Sequence, residues 1–500
     1  MMPSVTSDPS ALRPSAAPGL PLAHLLPGAS GVLTGVAFDS RSVAPGDLYV
    51  GLPGARAHGA SFAAQAAAAG ALAVLTDAAG AALAEPAGLP VLTVDDPRAA
   101  MAPLAADVYG RPGEALDLFA VTGTNGKTST VFLLEAALAA LGRTVATIGT
   151  IGFRVAGRPL EVARTTVTTP EAPDLQALLA VLRERGADTV AMEISSHALA
   201  LHRADALTFD AAGFTMLGQD HLEFHHTLEE YFAAKARLFV DGRTRAAVVN
   251  TDDPWGRRLA ALARADGTRV VTTLADDADL RVVAAEPLAD GGSRVRLAHP
   301  GGETVFDLSM LGSFNVANAV TALGLVHAAG LDVDAAAAGL AAAQVPGRMQ
   351  RVDLGPDAPH AVVDFAHTPQ AVAAALAALP RTGRRIAVLG AGGDRDPSKR
   401  GPMGRAAAEA ADLVVVTDDN PRSEEPAAIR AAVLAGAREA GGAEVVDGGD
   451  RRAAIARALR LARPADWVAV LGKGHETGQD VAGVISPFDD VAVIRETWGE

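Results

Sequence analysis

The stretch Thr122-Gly123-Thr124-Asn125-Gly126-Lys127-Thr128 carries residue types that hold phosphates. It follows an apolar strand-like run, Leu116 to Val121, and opens a helix-like run, Ser129 to Leu141. Glycines let backbone N–H groups approach phosphate oxygens, a helix N-terminus favours anions, and the Lys127 ammonium offsets charge. Thr128 offers a hydroxyl to Mg²⁺. The loop departs from G-x-x-x-x-G-K-[ST], because Val121 stands where the first glycine falls. Three more polar positions could join it: Glu193, closing Thr189-Val190-Ala191-Met192; His221, in Gly218-Gln219-Asp220-His221-Leu222-Glu223; and Lys235, on a helical run from Leu228 to Val240. Singly, these read as a surface charge, a structural histidine and a solvated or salt-bridged lysine. With Lys127 and Thr128 they compose a Mg²⁺–triphosphate site, since hard cations take oxygen ligands and substrate phosphates.

Strands must present these residues. The central block alternates strand-like runs (Phe119 to Thr122, Thr144 to Ile148, Thr189 to Ile194, Ala211 to Met216, Ala246 to Asn250) with helical ones, the pattern of a parallel sheet flanked by helices. A first block shows short strand signals at Gly46 to Leu52, Ala71 to Thr76 and Pro90 to Val94, and ends in Tyr109-Gly110-Arg111-Pro112-Gly113. After Val345-Pro346-Gly347-Arg348 a second alternating series follows: Ala361 to Phe365, Arg385 to Gly390, Leu413 to Thr417 and Trp467 to Gly472. Ligands of open α/β sheets bind at the carboxyl ends of strands, so the loops there are the candidate sites. The expectation is an α/β protein of three domains, 1–113, 114–344 and 345–500, the central and last built on parallel sheets.

The chain's 500 residues exceed one core, and 49% apolar content is enough to fill several. A net charge of −15 without a basic tail argues against a nucleic-acid partner. The absence of cysteine excludes disulfides, thiolate catalysis and thiolate metal sites. Met1 to Gly28, rich in Pro and Ser, lacks the basic start and apolar run of a signal peptide. The Ala-rich run Ala63 to Leu75, broken by Gln65 and Gly70, reads as a packed helix rather than a membrane span. These features point to a cytoplasmic protein with no membrane insertion.

The compact T-G-T-N-G-K-T loop resembles that of the Mur ligases and their folylpolyglutamate synthetase cousins. Met192-Glu193-Ile194-Ser195-Ser196-His197, Asp220-His221-Leu222-Glu223 and Tyr231-Phe232-Ala233-Ala234-Lys235 resemble successive signatures of the Mur ligase ATPase domain. The resemblance implies ATP as co-substrate on Gly123, Thr124, Asn125, Gly126, Lys127 and Thr128. It implies two Mg²⁺ ions, with Thr128, Glu193, His221 and a CO₂-derived carbamate on Lys235 at the metal site, and catalytic roles for Lys127, Glu193, His221 and Lys235. An apolar setting would favour that modification by supplying neutral amine. Leu311-Gly312-Ser313-Phe314-Asn315-Val316-Ala317-Asn318 resembles the family's G-x-x-N-x-x-N segment near adenine, although Asn315 and Asn318 could equally cap the following helix. Arg348, in Gly347-Arg348-Met349-Gln350, and Asp364, in Asp364-Phe365-Ala366-His367-Thr368-Pro369, are implied near ATP; Phe365 and Gln350 depart from the family's Tyr and Glu.

Phe38-Asp39-Ser40-Arg41 resembles a turn of the family's sugar-nucleotide domain, though capping or a local salt bridge is its simpler reading. The resemblance assigns Phe38, Ser40, Thr168, Thr169, Ser195 and Arg203 to a UDP-muramoyl peptide. Asp419-Asn420-Pro421-Arg422 resembles the D-N-P-R motif of members that recognise meso-diaminopimelate, where Arg422 could fork-bond a carboxylate that lysine and ornithine side chains lack. Arg395, Gly472 and Glu476 complete that set, with Glu476 receiving the distal ammonium. Thr477-Gly478-Gln479 stands where relatives often carry an aromatic.

The implied reaction is the ATP-dependent addition of the third stem-peptide residue to UDP-N-acetylmuramoyl-L-alanyl-D-glutamate by a monomeric enzyme, through an acyl phosphate, with the last block closing over the central one. Three alternatives stand beside it: the same ligase using lysine or ornithine, a folylpolyglutamate synthetase-like ligase, and a non-catalytic nucleotide switch.

Overall fold

A computed structural model describes residues 12–160, 167–288 and 291–499. The Pro/Ser-rich start through residue 11 lies outside them. Contacts divide the chain into two compact units. The first takes the chain up to Val282 with Leu297–Thr304 and Asn318–Gly339; the second takes Val283–Arg296, Val305–Ala317 and everything from Leu340 onward. The expected 113/114 boundary falls inside the first unit.

The first unit begins with a parallel sheet in the order Gly35–Ala37, Asp47–Gly51, Ala73–Thr76, Val91–Thr93. Leu48, Val50 and Leu75 of this sheet pack on Met101, Ala105 and Val108 of the helix Pro97–Val108. The Asp96 carboxylate accepts from the backbone N–H of Arg98 and Ala99, and Pro97 fills the first helical position, so the helix start is fixed locally. The reading of Ala63 to Leu75 as one helix is corrected: the helix is Ala63–Ala68, and Ala73–Thr76 is a strand. Gly70 breaks the run at φ +98°, where an added Cβ would lie 2.9 Å from the Pro45 backbone.

Its larger sheet has the order Arg158–Pro159, Gly152–Val155, Val145–Gly149, Thr189–Glu193, Asp117–Thr122, Ala211–Phe214, Ala246–Asn250, Arg269–Thr273. The last six are parallel; the first two return antiparallel, and this edge was not expected. The central strands are buried along their lengths, as near-continuous apolar runs require. Asp117–Thr122 lies in the middle and pairs with Thr189–Glu193 in a register that sets Glu193 opposite Val121.

The second unit is built on the sheet Gln350–Val352, His360–Asp364, Trp467–Leu471, Arg385–Leu389, Leu413–Thr417, Glu444–Gly449, parallel except for its first strand. Helices cover both faces, giving two apolar layers. A hairpin, Gly478–Val481 with Val484–Pro487, and a three-stranded sheet, Arg281–Pro287, Ser293–His299 and Gly302–Leu308, were not anticipated. Among the described residues no helix is long and apolar enough to cross a membrane.

Candidate active site

The phosphate loop leaves the strand Asp117–Thr122 and enters the helix Lys127–Ala140 through Gly126 at φ +88°. A Cβ at Gly123 would sit 1.9 Å from Thr215 Oγ1, and one at Gly126 would sit 2.4 Å from Asn318 Oδ1, so both glycines are required by space as well as by torsion. Val121, the departure from the common motif, is a fully buried strand residue rather than part of the loop. The Asn125 carbonyl accepts from Thr215 Oγ1 at 2.6 Å, and Thr124 Oγ1 accepts from the Gly218 N–H at 2.9 Å. Asn318, on the helix Ser313–Ala328, thus abuts the loop; its Oδ1 also accepts from Thr130 Oγ1 at 3.4 Å. Asn315 instead donates to the Leu311 carbonyl at 2.8 Å and belongs to the second unit.

Glu193 is buried and its carboxylate accepts three hydrogen bonds: from Thr128 Oγ1 at 3.0 Å, the Thr150 N–H at 2.8 Å and Thr150 Oγ1 at 3.1 Å. Thr150 was not singled out in the sequence, where it reads as one more turn residue after a strand. Lys127 Nζ donates to the carbonyls of Gly123, 2.9 Å, and Thr124, 3.0 Å. Lys235, 1% exposed, also donates to the Gly123 carbonyl, at 3.0 Å, and its ammonium lies 4.5 Å from the Tyr231 ring centre. Burial, reinforced by the Lys127 charge, holds the Lys235 amine well below its ordinary pKa.

His221 stands beside the Tyr231 ring, 6.1 Å between ring centres, the same ring that faces Lys235 and whose hydroxyl bonds Thr124. It sits at φ +55°, with its ring 4.9 Å from His197 and carboxylates of Asp220 and Glu223 at 3.4 and 3.6 Å. Among the described residues no hydrogen bond or ion pair joins it to Thr128 or Glu193, and no group of three or more His, Asp or Glu side chains forms a metal cage. The oxygen donors of Thr128 and Glu193 suit Mg²⁺, which keeps waters and substrate phosphates in place of an all-protein cage.

The sugar-nucleotide candidates also fall in the first unit. Thr169 is buried, its Oγ1 donating to the Glu193 carbonyl at 2.9 Å and accepting from the Ser195 N–H at 3.1 Å. Thr168 Oγ1 is 3.1 Å from Thr150 Oγ1. Arg203 donates to the Thr169 carbonyl, 3.0 Å, and to Glu171, 2.7 Å. These contacts tie Thr168, Thr169, Ser195 and Arg203 to Glu193. Ser195 Oγ also caps its helix at Ala198. At the first sheet, Phe38 packs half-buried on the core and Ser40 donates to Gln65 at 3.0 Å; Asp39 and Arg41 make the local salt bridge.

In the second unit, Gly392-Gly393-Asp394-Arg395, Asp419-Asn420-Pro421-Arg422 and Gly472-Lys473-Gly474-His475-Glu476 follow the adjacent parallel strands Arg385–Leu389, Leu413–Thr417 and Trp467–Leu471. A Cβ on Gly392 would meet the Arg422 guanidinium at 3.1 Å and the Cγ methylene of Arg395 at 3.6 Å. Arg422, at φ +51°, donates to the Gly393 carbonyl at 2.6 Å. Asn420 Nδ2 donates to Glu476 Oε2 at 2.8 Å. Gly472 is at φ +112°, and a Cβ there would lie 2.4 Å from Asp419 Oδ2. Burial raises the Asp419 carboxyl's pKa, against the pull of Arg451 and Lys473. Beneath these loops Arg451 and Asp490, both fully buried, pair at 2.7 Å, and Arg451 also donates to the Leu471 carbonyl at 3.1 Å. The Thr477-Gly478-Gln479 departure opens the hairpin, and Gln479 Nε2 donates to the Asp419 carbonyl at 2.7 Å.

Arg348 lies over the Phe365 ring at 4.6 Å, a contact that needs no phenolic hydroxyl. Asp364 accepts from the N–H groups of Met349 and Ala366, both at 2.8 Å, while burial raises its pKa. Gln350 accepts from the Gly347 N–H at 2.7 Å.

Residues 32–109 match the model of the Mur ligase family catalytic domain, residues 121–326 the Mur ligase middle domain, and residues 347–474 the Mur ligase glutamate ligase domain. The UDP-N-acetylmuramoyl-L-alanyl-D-glutamate--2,6-diaminopimelate ligase of Streptomyces coelicolor is 51% identical, over 98% of this chain and 97% of its own. The chain belongs to the Mur ligase family. As a Mur ligase it is an ATP-dependent ligase, with the family's three-domain α/β fold. A solved structure titled as a UDP-N-acetylmuramoyl-L-alanyl-D-glutamate--2,6-diaminopimelate ligase superposes with TM-score 0.72 at 30% identity, covering 96% of this chain and 99% of that one. Mycobacterium tuberculosis folylpolyglutamate synthase, at 21% identity and TM-score 0.61 over 75% of this chain and 91% of that one, shares the fold alone.

Proposed function

We propose that this Mur ligase joins meso-2,6-diaminopimelate to UDP-N-acetylmuramoyl-L-alanyl-D-glutamate with cleavage of ATP to ADP and phosphate. The observation that carries the choice of amine is the Arg422 guanidinium at Gly392, two residues from the Asn420 that holds Glu476 by a hydrogen bond. The guanidinium suits the distal carboxylate, with Arg395 proposed beside it, and the Glu476 carboxylate suits the distal ammonium. The near full-length likeness to the Streptomyces coelicolor enzyme supports the same substrates.

In this reading the D-glutamyl carboxylate attacks the γ-phosphorus of ATP, the bond to the β–γ bridging oxygen breaks, and ADP leaves. The amine then attacks the acyl phosphate carbon, a proton is lost, the amide forms and phosphate departs. Lys127 and the N-terminal amides of the helix Lys127–Ala140 offset the charge of two anions that repel each other. Mg²⁺, two ions in this reading, would be held by Thr128 and Glu193 and would supply further charge neutralisation on the triphosphate. Neutral Lys235 amine adding to CO₂ with loss of a proton would give a carbamate, converting a buried neutral amine into an anion that could serve at the metal site. His221, beside the Tyr231 ring that faces Lys235, is proposed as a further residue of the metal site.

Phe38, Ser40, Thr168, Thr169, Ser195 and Arg203 are proposed for the UDP-muramoyl peptide; Asn315, Asn318, Arg348 and Asp364 for ATP; and Asp419, Pro421 and Gly472 for shaping the amine pocket. Domains 1–113, 114–344 and 345–500 and a cytoplasmic monomer complete the reading. Phosphate release with ATP, Mg²⁺ and UDP-N-acetylmuramoyl-L-alanyl-D-glutamate, with diaminopimelate, lysine or ornithine supplied in turn, tests it. Turnover with diaminopimelate alone is expected. Turnover with lysine or ornithine in its place would reject the Arg422 assignment, and silence with all three would reject the reaction.

A further inference from the structure

Lys473 lies in a glycine-flanked loop that reads as solvent-exposed, yet its side chain is fully buried. Its Nζ makes three hydrogen bonds: to Glu476 Oε2 at 3.1 Å, to Asn420 Oδ1 at 3.2 Å and to the Gly478 carbonyl at 2.6 Å. Asn420 Nδ2 donates to the same Glu476 oxygen, and Asn420 Oδ1 also accepts from the Asp480 N–H at 3.0 Å. The hairpin is stitched onward to Arg422, whose N–H donates to the Asp480 carbonyl at 3.0 Å and whose carbonyl accepts from Ala482 at 2.7 Å. One ammonium therefore joins the loop of Glu476, the loop of Arg422 and the hairpin.

This arrangement has two chemical results. Both donors bind Oε2 of Glu476, while Oε1 has no partner among the described residues, so the carboxylate is held in one orientation with one oxygen to offer. The Lys473 charge, desolvated and in direct contact, also offsets that of Glu476. An incoming side chain carrying only an ammonium meets a carboxylate whose charge is already answered and the Arg422 guanidinium, which repels it. One carrying ammonium and carboxylate together finds an oxygen for the first and that guanidinium for the second.

We propose that Lys473 is a positioning residue that sets amine selectivity, favouring a diamino acid with a distal carboxylate over one with a bare ammonium. The proposal rests on the amine-pocket reading given above. Its test is steady-state kinetics of wild type, K473Q and K473M with meso-diaminopimelate and with L-lysine, alongside KM for ATP. K473Q keeps a donor for Glu476 without the charge; K473M keeps neither. The expected result is a fall of about tenfold or more in the diaminopimelate-to-lysine ratio of kcat/KM in both variants. The change should appear in KM for the amine, with KM for ATP unmoved, and K473Q should retain more diaminopimelate turnover than K473M. An unchanged ratio, or equal losses towards amine and ATP, would overturn it as a structural effect only. If K473M fails to fold, K473Q decides alone by the same ratio. Wild-type enzyme that prefers lysine would reject the underlying pocket reading instead, whatever the variants do.

Discussion

Lys127 and Lys235 donate to the same carbonyl oxygen, that of Gly123, at 2.9 and 3.0 Å. They arrive from different elements, one from the first turn of the helix after the phosphate loop and one from a helix more than a hundred residues later. Two lysine amines on one carbonyl crowd positive charge at the loop, which disfavours the protonated form of the buried one. Lys127, half-buried at the loop, is placed to meet a phosphate, whereas the buried Lys235 is penalised by both its surroundings and its neighbour.

Replacing Lys127 by Ala removes its charge and leaves the loop's glycines and the helix intact. Phosphate release should fall by about 10²-fold or more, the scale for losing one group aimed at developing charge, while the thermal transition stays in place. A variant that loses its fold instead would reject the assignment of Lys127 to phosphate.

Lys235 yields a pH prediction with a definite sign. Its amine is held neutral more readily in the folded chain than in the unfolded one, where it titrates near the ordinary value of about 10.4. As pH falls below that value the unfolded chain gains the proton first, so stability drops until the folded group titrates as well. Lys235→Met lacks this penalty. In CO₂-free buffer at pH 7 it should melt above wild type, with the gap closing towards pH 10.5. Scanning calorimetry across pH checks this, and a gap that widens with pH would contradict it.

Glu171 accepts from Arg203 at 2.7 Å and Arg98 at 3.2 Å, joining the Thr168–Thr169 loop to the helix Pro97–Val108. Glu171→Gln weakens both contacts and frees Arg203 to move off Thr169. KM for the UDP-linked substrate should rise about five- to tenfold, the size expected for one charge-assisted hydrogen bond, with KM for the amine unchanged. Equal effects on both substrates would show that the contact serves the fold alone.

The Arg451–Asp490 pair is fully buried, and breaking it strands a charge. Either Arg451→Met or Asp490→Leu should cost about 3–5 kcal/mol, while the double variant should cost less than either. Denaturant unfolding of the three variants measures the coupling; additive losses would mean the two side chains do not act as a pair.

Most of the architecture was legible because buried parallel strands write themselves as unbroken apolar runs ending in glycine or charge. Strands such as Ala246–Asn250 and Leu413–Thr417 fall where the runs end. The antiparallel edge Gly152–Val155 and the hairpin after Gly478 escaped, since half-exposed strands carry weak patterns. Glu193 and Lys235, which singly read as a surface charge and a solvated lysine, were brought to the site by the family resemblance, and both lie at the phosphate loop. His221 stands beside Tyr231 and makes no direct bond to Thr128 or Glu193 among the described residues; a sequence cannot show which way a loop imidazole turns. Lys473 and Arg451 were passed over for a related reason: a lysine between glycines and an arginine in Asp450-Arg451-Arg452 look solvated, and only tertiary packing buries them.

The three loops after Arg385–Leu389, Leu413–Thr417 and Trp467–Leu471 lie in one uninterrupted span of the gene product, from Arg385 to Glu476, together with the lysine that ties two of them. None of the sugar-nucleotide candidates falls within that span. A crossover between homologous genes with breakpoints on either side would carry the whole amine pocket as one inherited cassette, leaving the donor-carboxylate side untouched. Wall chemistry can then change between lineages by exchange of a block, not by the slow accumulation of matched substitutions.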